Sequence, residues 1–341
     1  QVRADSFAYL GNAAAFCRGS FFCVKWERNG YTMSMEAFKA QILQKKVAVA
    51  GIGVSNMPLI EFLVQCGADV TACDKKEETQ IAGIPLLQNL GVTLRCGSDY
   101  LEHLDCDWFF RTPGMYPELP EIRQLRANGV TISSEMELFF ALCPAQIIAV
   151  TGSDGKTTTA TLIAKMLQQA GYRCWLGGNI GTPLIGKIEQ MQPTDKVVLE
   201  LSSFQLFTMQ QSPNIAVITN VTPNHLDWHR SMEEYVLAKK QIFLHQKPAD
   251  CLVLNYDNEQ TRAFATEAAG TVRLFSRKQR VQGVYLENDA IWQCGTGKPE
   301  KILDINKIRI PGVHNIENYM AAIAAVRDMV STDEIAAVAE N

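Results

Sequence analysis

One segment constrains the fold of this chain more than any other, because it joins an apolar run to a glycine loop and then to a helical pattern. Residues 147–161 read IIAVTGSDGKTTTAT, and apolar residues recur at helical spacing after them. The Ile- and Val-rich start predicts a buried strand. A strand followed by a glycine loop and a helix N-terminus indicates an α/β fold with an anion site, since backbone N–H groups and the helix dipole both favour negative charge there.

The loop predicts a nucleoside-triphosphate site for ATP and Mg²⁺. Lys156 supplies a cation for the β- and γ-phosphates, and the Thr157 hydroxyl is suited to ligate magnesium. The general phosphate-loop pattern has a glycine where this chain has Val150, so the loop is a shorter form, and a chance Gly-Lys-Thr at a helix start is the alternative. The predicted ATP-binding residues of the loop are Gly152, Ser153, Asp154, Gly155, Lys156, Thr157 and Thr158.

A second glycine motif, KKVAVAGIGVSN over residues 45–56, predicts another strand–loop–helix unit. The strand after its helix closes on Asp74, about 20 residues past Gly51 and Gly53, where a Rossmann-like unit grips a ribose or a base. Asn56 stands where the dinucleotide fingerprint has its third glycine. An NAD-dependent oxidoreductase is therefore an alternative that only the first two glycines favour.

Strand-like and helical segments alternate along the chain, which predicts mostly parallel sheets. A break at residues 142–145, LCPA, comes directly before the strand of the ATP loop. We therefore predict a Rossmann-like domain over residues 35–142 and a P-loop-type ATP-binding domain over residues 143–341. Within the first domain, residues 112–114 (TPG) follow a strand at the edge where α/β sheets bind ligands.

Composition narrows the classes of function. The formal net charge of −4 argues against a nucleic-acid partner, and no apolar stretch approaches the roughly 20 residues of a membrane helix. The ten cysteines form no C-x-x-C pair and no zinc-finger spacing, which favours reduced thiols in the cytoplasm. Residues 1–34 are predicted to be a non-native or disordered leader, because Met33 and Met35 are both plausible starts.

Two polar residues follow apolar strands of the second predicted domain. Glu200 lies near the end of the apolar run KVVLEL (196–201), where a buried carboxylate must be paired, protonated or metal-bound. Beside a phosphate loop a magnesium-linked role is favoured, and a solvated strand end is the alternative. His225 lies after another apolar strand, and His229 competes with it as a candidate. A zinc site at these two histidines is disfavoured, because Pro223 and the Asn and Asp content of the segment predict a loop.

Two adjacent lysines, Lys239 and Lys240, lie on a helix that a capping box, Ser231 with Glu234, is predicted to begin. Such lysines on a half-apolar helix are usually surface residues whose aliphatic stems cover apolar neighbours. The helical periodicity by itself does not decide which of the two faces the ATP loop.

Together these segments resemble the Mur ligases, the ATP-dependent amino-acid ligases of peptidoglycan synthesis. TGSDGKTT is similar to the family's phosphate loop, and Glu200, His225 and Lys239 fall in the family's order. LELSSFQL (199–206) and GGNIG (177–181) are similar to the member that adds D-glutamate. The resemblance extends over about residues 36–335 and includes GIGVSN, the TPG segment and GVHNIEN.

The resemblance implies a role for each matching residue. Lys156, Lys239 and His225 would be catalytic; Thr157, Glu200, His225 and Lys239 would hold Mg²⁺, with Lys239 carbamylated because a carbamate supplies the oxygen ligands that this hard cation prefers. Asn315 and Asn318 would lie near the adenine and ribose of ATP. The implied UDP-sugar-binding residues are Gly53, Val54, Ser55, Asp74, Lys75, Thr112, Pro113, Gly114, Asn179, Ser202 and Gln205.

The implied reaction joins D-glutamate to UDP-N-acetylmuramoyl-L-alanine through an acyl phosphate made from ATP, with no nucleic-acid or membrane partner. A sister Mur ligase that uses another amino acid is one alternative, and a non-catalytic module that binds ATP and the UDP-sugar is another. Mur ligases have three domains, and this chain ends at Asn341. The C-terminal amino-acid-binding domain is therefore expected to be absent, and the chain alone to be inactive.

Overall fold

The computed structural model describes residues 33–295 and 297–341, so most of the leader predicted over residues 1–34 lies outside the described residues. Met33 and Ser34 belong to the fold, contrary to that prediction. The Met33 N–H donates to the Ala141 carbonyl at 3.0 Å, and the Ser34 hydroxyl accepts the Ala37 N–H at 3.1 Å. Ser34 thus caps the first described helix, α1 (Met35–Ile42).

The first half of the chain folds around a five-stranded parallel sheet in the order β3-β2-β1-β4-β5. The order reverses at β1, so the loops after β1 and β4 border the crevice in which such sheets bind ligands. The strands are β1 (Lys46–Ala50), β2 (Asp69–Asp74), β3 (Thr93–Cys96), β4 (Trp108–Arg111) and β5 (Thr131–Ser134). The α-helices are α1 (Met35–Ile42), α2 (Met57–Gln65), α3 (Ile84–Asn89), α4 (Pro120–Ala127) and α5 (Glu135–Leu142).

The second half folds around a nine-stranded sheet in the order β14-β13-β12-β11-β10-β9-β6-β8-β7. Its strands are β6 (Gln146–Thr151), β7 (Cys174–Gly178), β8 (Lys196–Glu200), β9 (Ile215–Ile218), β10 (Cys251–Asn255), β11 (Thr271–Ser276), β12 (Gly283–Glu287), β13 (Ala290–Cys294) and β14 (Glu300–Asp304). Its α-helices are α6 (Lys156–Gln169), α7 (Ser203–Leu206), α8 (Met232–Leu244), α9 (Glu259–Ala263), α10 (Val313–Val326) and α11 (Thr332–Ala339).

Seven of these nine strands, β6 to β12, pair in parallel, and β13 and β14 add antiparallel at one edge. The predicted fold class, Rossmann-like followed by a mostly parallel P-loop-type unit, is confirmed. The antiparallel edge strands were not predicted. Strands β1 to β5 form the first sheet and strands β6 to β14 form the second, so the change of sheet falls between β5 and β6. This supports the domain boundary at residue 143, which stays a prediction.

One apolar cluster joins the two halves. It contains Leu59 and Leu63 of α2 together with Ile185 and Ile188 of a 3₁₀ segment (Ile185–Gln190) in the second half. All four side chains are buried. The two sheets are therefore held beside each other by a shared core, which fixes the loops of one against the loops of the other. Among the described residues, no helix is long and apolar enough to cross a membrane.

Candidate nucleotide and nucleotide-sugar site

The phosphate loop, residues 152–157, lies between the end of β6 and the start of α6, as predicted. Gly152 and Gly155 have φ values of +154° and +79°, and a Cβ on Gly155 would lie 2.3 Å from Asn318 Oδ1. Lys156 Nζ donates to the Gly152 carbonyl at 3.0 Å and to the Ser153 carbonyl at 2.9 Å. Only glycine meets these two backbone requirements, and the N–H groups at the start of α6 can face an anion.

Residues from two other segments, the stretch 219–222 after β9 and the helix α8, hold the phosphate loop in place. The Thr219 hydroxyl donates to the Asp154 carbonyl at 2.6 Å, and Asn220 Oδ1 accepts the Asp154 N–H at 3.0 Å. The Ser153 hydroxyl donates to the Thr222 carbonyl at 2.8 Å and lies 3.0 Å from the Tyr235 hydroxyl. The loop is thus pre-organised by its surroundings, so little ordering is left for a nucleotide to bring about.

The two asparagines of the GVHNIEN segment lie at the phosphate loop. Asn318 Oδ1 accepts a hydrogen bond from the Thr159 hydroxyl at 3.3 Å, and Asn318 Nδ2 donates to Asn315 Oδ1 at 3.0 Å. Asn315 Nδ2 in turn donates to the Pro311 carbonyl at 2.6 Å. The chain brings α10 against the start of α6 through these contacts, and the contact of either asparagine with adenine or ribose stays a prediction.

Glu200 is 2% exposed at the end of β8, so the solvated alternative is wrong. The Thr157 hydroxyl donates to Glu200 Oε2 at 2.7 Å, and Asn179 Nδ2 donates to Oε1 at 2.9 Å. Both of these partners are neutral hydrogen-bond donors. Hydroxyl and carboxylate oxygens are the ligands that Mg²⁺ prefers.

Lys239 turns towards the phosphate loop and is 2% exposed. Its Nζ donates to the Gly152 carbonyl at 2.8 Å, the same oxygen that Lys156 contacts. Burial, and to a smaller extent the nearby Lys156 charge, lowers the pKa of Lys239 to about 7, while Asp154 opposes the shift. Lys240 instead pairs with Glu267 away from the loop.

His225 and His229 lie on a loop, as predicted, but in different surroundings. His225 is exposed, has a φ of +54°, and its ring centroid lies 5.1 Å from that of Phe204. His229 is 1% exposed, with Nε2 2.9 Å from the Ser203 hydroxyl, and burial lowers its pKa to about 4. Within residues 33–295 and 297–341, no three His, Cys, Asp or Glu side chains gather as a metal cluster. His225 as a ligand therefore stays a prediction.

The loops of the first sheet that were predicted to bind a UDP-sugar lie close together. The glycine loop after β1 approaches the TPG loop, since a Cβ on Gly51 would lie 3.0 Å from Thr112 Cβ. Asp74 Oδ2 accepts the Ile52 N–H at 2.7 Å, so its carboxylate braces the glycine loop. At the outer end of this loop Gly53, Val54 and Ser55 are exposed, and so is Lys75 beside Asp74.

The loops of the second sheet complete a cleft between the two halves. Its lining includes Ser55 and Pro113 from the first half and Gln205 from the second. Ser202 and Gln205 form a reciprocal cap at the start of α7, with the Ser202 N–H donating to Gln205 Oε1 at 2.9 Å. Trp228 Nε1 donates to the Gly114 carbonyl at 3.0 Å and ties the two sides of the cleft together.

Two buried charged residues at the cleft were missed from the sequence. Arg111, 1% exposed, donates to the carbonyls of Pro113 and Met115 at 3.3 and 3.2 Å and so holds the TPG loop. Glu135, 7% exposed, lines the cleft. Both residues could have been found in the sequence as charged residues at the end of an apolar segment. Arg111 ends the otherwise apolar strand WFFR, and Glu135 begins the mostly apolar helix EMELFFAL. Burying such a charged group costs free energy of desolvation, so its presence inside the fold indicates a structural or functional role.

Solved structures of similar fold include a UDP-N-acetylmuramate:L-alanyl-gamma-D-glutamyl-meso-diaminopimelate ligase from Neisseria meningitides. Its TM-score is 0.58 at 19% identity, over 87% of this chain and 98% of that one. The UDP-N-acetylmuramate–alanine ligase of Thermotoga maritima gives a TM-score of 0.52 at 22% identity, over 87% of this chain and 68% of that one. At these identities the likeness shows the fold.

Curated relatives are much more similar in sequence. The UDP-N-acetylmuramoylalanine–D-glutamate ligase of Ruminiclostridium cellulolyticum is 53% identical over 310 residues, which are 90% of this chain and 67% of that protein. The enzyme of the same name from Acetivibrio thermocellus is 55% identical over 306 residues, 89% of this chain and 66% of that protein. This chain thus spans about two thirds of the length of these relatives.

A family model described as the Mur ligase middle domain matches residues 150–326, which include the phosphate loop, Glu200, Lys239 and the asparagines of α10. The match and the relatives agree with the resemblance that the motifs predicted. By sequence and by fold, this chain belongs to the Mur ligase family.

Proposed function

We propose that this chain carries the ATP site and the nucleotide-sugar site of a UDP-N-acetylmuramoylalanine–D-glutamate ligase, the activity for which its curated relatives are named. One observation carries the proposal: Lys239 and Lys156 converge on the Gly152 carbonyl, beside the hydrogen-bonded pair Thr157 and Glu200. Because the chain spans about two thirds of those relatives, ligation is proposed for the whole protein, and the binding steps are proposed for this chain.

The Thr157–Glu200 pair fits a magnesium ion through the chemistry of its oxygens. We propose that Thr157, Glu200, His225 and Lys239 hold the ion. When bound, magnesium would offset the negative charge of the nucleotide phosphates. On the protein side, Lys156 adds a mobile cation, and the start of α6 adds N–H donors and the positive end of its dipole.

Carbamylation of Lys239 is the second part of the proposal. Its neutral amine would attack CO₂, so that an N–C bond forms and the amine loses a proton. The lowered pKa supports this, since a neutral amine is the reactive form, and the buried position between Gly152 and the Tyr235 ring supports it too. A carbamate would turn a cation that repels magnesium into an oxygen ligand.

In the proposed reaction, the γ-phosphoryl group of ATP passes to the alanyl carboxylate, and the amine of D-glutamate displaces phosphate from the resulting acyl phosphate. The protein needs no nucleophile of its own for this sequence. Its residues bind the phosphates, hold the carboxylate in line and exclude water, which are the contributions that dominate phosphoryl transfer.

The sugar end of the substrate is proposed to lie along the cleft between the sheets. The uridine end would contact Gly53, Val54, Ser55, Asp74 and Lys75, and the muramoyl end would contact the TPG loop with Asn179, Ser202 and Gln205. The cysteines in the described part of the chain are all free thiols, which supports the cytoplasmic location that we propose.

Calorimetry on this chain tests the two binding sites, with Lys165→Ala as the control because Lys165 is an exposed lysine on the same helix α6. Lys156→Ala should weaken Mg²⁺-ATP binding about 10- to 150-fold, the loss of a charge-assisted contact, and should leave the UDP-sugar affinity unchanged. Equal ATP affinity in Lys156→Ala and Lys165→Ala would contradict the ATP site.

The rival oxidoreductase function is tested in the same format. We expect UDP-N-acetylmuramoyl-L-alanine to bind and NADH not to bind, because Asn56 fills the place of the third glycine and its Nδ2 donates to the Ala50 carbonyl at 2.9 Å. Saturable NADH binding without UDP-sugar binding would reverse the assignment.

A further inference from the structure

Glu135 is a buried carboxyl in the cleft that the proposed reaction does not use. It begins α5, is 7% exposed, and its Oε1 has no hydrogen-bond partner. Nearly all buried polar atoms in native proteins are partnered, and one that is not calls for an explanation. A bound molecule that supplies the missing donor is one such explanation.

The surroundings of Glu135 indicate what that molecule is. The cleft lining combines Ser55, Pro113 and Gln205, from segments predicted to bind the UDP-sugar, with apolar side chains such as Met136 and Leu184. Gln205 Oε1 already accepts the Ser202 N–H and hydroxyl at 2.9 and 3.0 Å. Glu135 Oε1, by contrast, is a buried acceptor of this lining without a hydrogen-bond partner, and it is set in an apolar wall.

The charge state of Glu135 agrees with this environment. Burial raises the pKa of Glu135 to about 7, while the backbone N–H of Ile185 opposes the shift. Ile185 begins the 3₁₀ segment of the second half, so Glu135 of the first half lies at the junction of the two cleft walls. An orphaned acceptor in such a place suits an uncharged donor with an apolar group attached.

We propose that Glu135 binds the sugar end of the nucleotide-sugar, accepting a secondary amide N–H while the apolar lining receives the methyl group of that amide unit. The inference rests on the proposed function, since UDP-N-acetylmuramoyl-L-alanine carries such units in its acetamido and alanyl groups. Ligands without the amide donor leave the buried carboxyl unpaired and are rejected for that reason.

Calorimetry with three ligands tests the inference: UDP-N-acetylmuramoyl-L-alanine, UDP alone and Mg²⁺-ATP. Glu135→Leu removes the acceptor and should raise the Kd of the UDP-sugar about tenfold or more, equivalent to about 1.4 kcal/mol, with UDP and ATP affinities unchanged. Glu135→Gln keeps an acceptor oxygen and should bind the UDP-sugar like the parent. Glu121→Gln, an exposed carboxylate in the first turn of α4, is the matched control.

Each other outcome overturns the inference. An unchanged UDP-sugar Kd in Glu135→Leu would mean that only water satisfies Oε1, and equal losses for UDP and the UDP-sugar would mean a purely structural role. If Glu135→Leu does not fold, Glu135→Asp replaces it, because shortening the side chain by one methylene withdraws the acceptor and should also weaken UDP-sugar binding. A parent chain that binds no UDP-sugar would refute the proposed function itself.

Discussion

Lys239 and Lys240 show how one step along a helix separates a site residue from a surface residue. Lys239 lies on the face of α8 that carries Tyr235 and Ile242, both buried, and its Nζ reaches the phosphate loop. Lys240 pairs with Glu267 and lies over the Phe264 ring. The helical periodicity of the sequence is equally compatible with either lysine facing the phosphate loop. The packing of α8 in the fold therefore decides that Lys239 lies at the loop and Lys240 does not.

Lys239 should take up CO₂ and Lys240 should not. In ¹³C-bicarbonate, the parent chain and Lys240→Ala should show a ¹³C carbamate signal by NMR that Lys239→Ala lacks. Because the pKa of Lys239 is lowered to about 7, its amine is increasingly neutral as the pH rises through 7, and the signal should grow over that range. A signal retained in Lys239→Ala and lost in Lys240→Ala would move the assignment.

Glu135 should make the parent chain less stable as the pH rises. The pKa of Glu135 in the folded chain, about 7, lies above the ordinary value of 4.5. Its contribution to the free energy of unfolding is therefore fully present below pH 4.5 and is lost as the pH rises through 7. Relative to Glu135→Gln, the parent should lose about 3 kcal/mol of unfolding free energy across that window. Urea unfolding of both proteins at pH 5 and pH 8 measures the difference, and a constant difference would contradict the raised pKa.

At the scale of elements, the phosphate loop depends on a close contact between α6 and α10. Asn318 Oδ1 occupies the space where a side chain at position 155 would begin, and it also accepts the Thr159 hydroxyl. The sequence predicted a glycine loop from Gly155 and a nucleotide role for Asn318 from the resemblance, but not that the two touch. Gly155 and Asn318 are more than 160 positions apart in the sequence, and it is the tertiary fold that brings them into contact.

Gly155→Ala should weaken ATP binding and destabilise the chain. Its cost combines a left-handed backbone, about 1–3 kcal/mol for a non-glycine residue, with a Cβ 2.3 Å from Asn318 Oδ1. Gly171→Ala, the control, has a similar φ of +83° and no atom within 4 Å of its Cβ. Thermal unfolding and ATP calorimetry should show a larger loss for Gly155→Ala, and equal losses would mean that the contact with Asn318 is unimportant.

The antiparallel edge of the second sheet was missed although its turn had a local signal. Asn288 and Asp289 connect β12 to β13 and both have positive φ values, +48° and +55°. Two such residues between strands form the tight turn that matches strand twist. This pair stands between two short runs rich in β-branched and aromatic residues, VYL (284–286) and AIW (290–292), so the hairpin could have been predicted from its turn, whereas the sheet that it joins could not.

At the scale of the whole molecule, the site exists because two sheets share one core. Ile185 is fully buried in the cluster that also contains residues of α2, and the 3₁₀ segment that it begins packs against α2. The cleft walls are therefore set by apolar packing as well as by the Trp228–Gly114 hydrogen bond. Loss of that packing should loosen both halves of the cleft together.

Ile185→Ala should cost about 2–5 kcal/mol and should lower protection in both sheets. Native-state hydrogen exchange should show faster exchange of β1 amides as well as β8 amides. Ile335→Ala, the control, truncates an equally buried isoleucine in a second cluster that contains no residue of the first sheet. The control should leave the exchange rates of the β1 amides unchanged. If Ile185→Ala increased exchange only in strands β6 to β14, the shared core would be contradicted.

The sequence alone determined the elements and the chemistry that each one carries. Buried strands such as β6 and β8 were predicted to within one or two residues of their observed bounds, because apolar period and glycine position are local properties. The tertiary structure decided the rest: that Lys239 meets Lys156 at one carbonyl, that Thr157 bonds to Glu200, and that Glu135 enters the cleft. Those facts depend on strand order and on packing between distant segments, which no local pattern encodes.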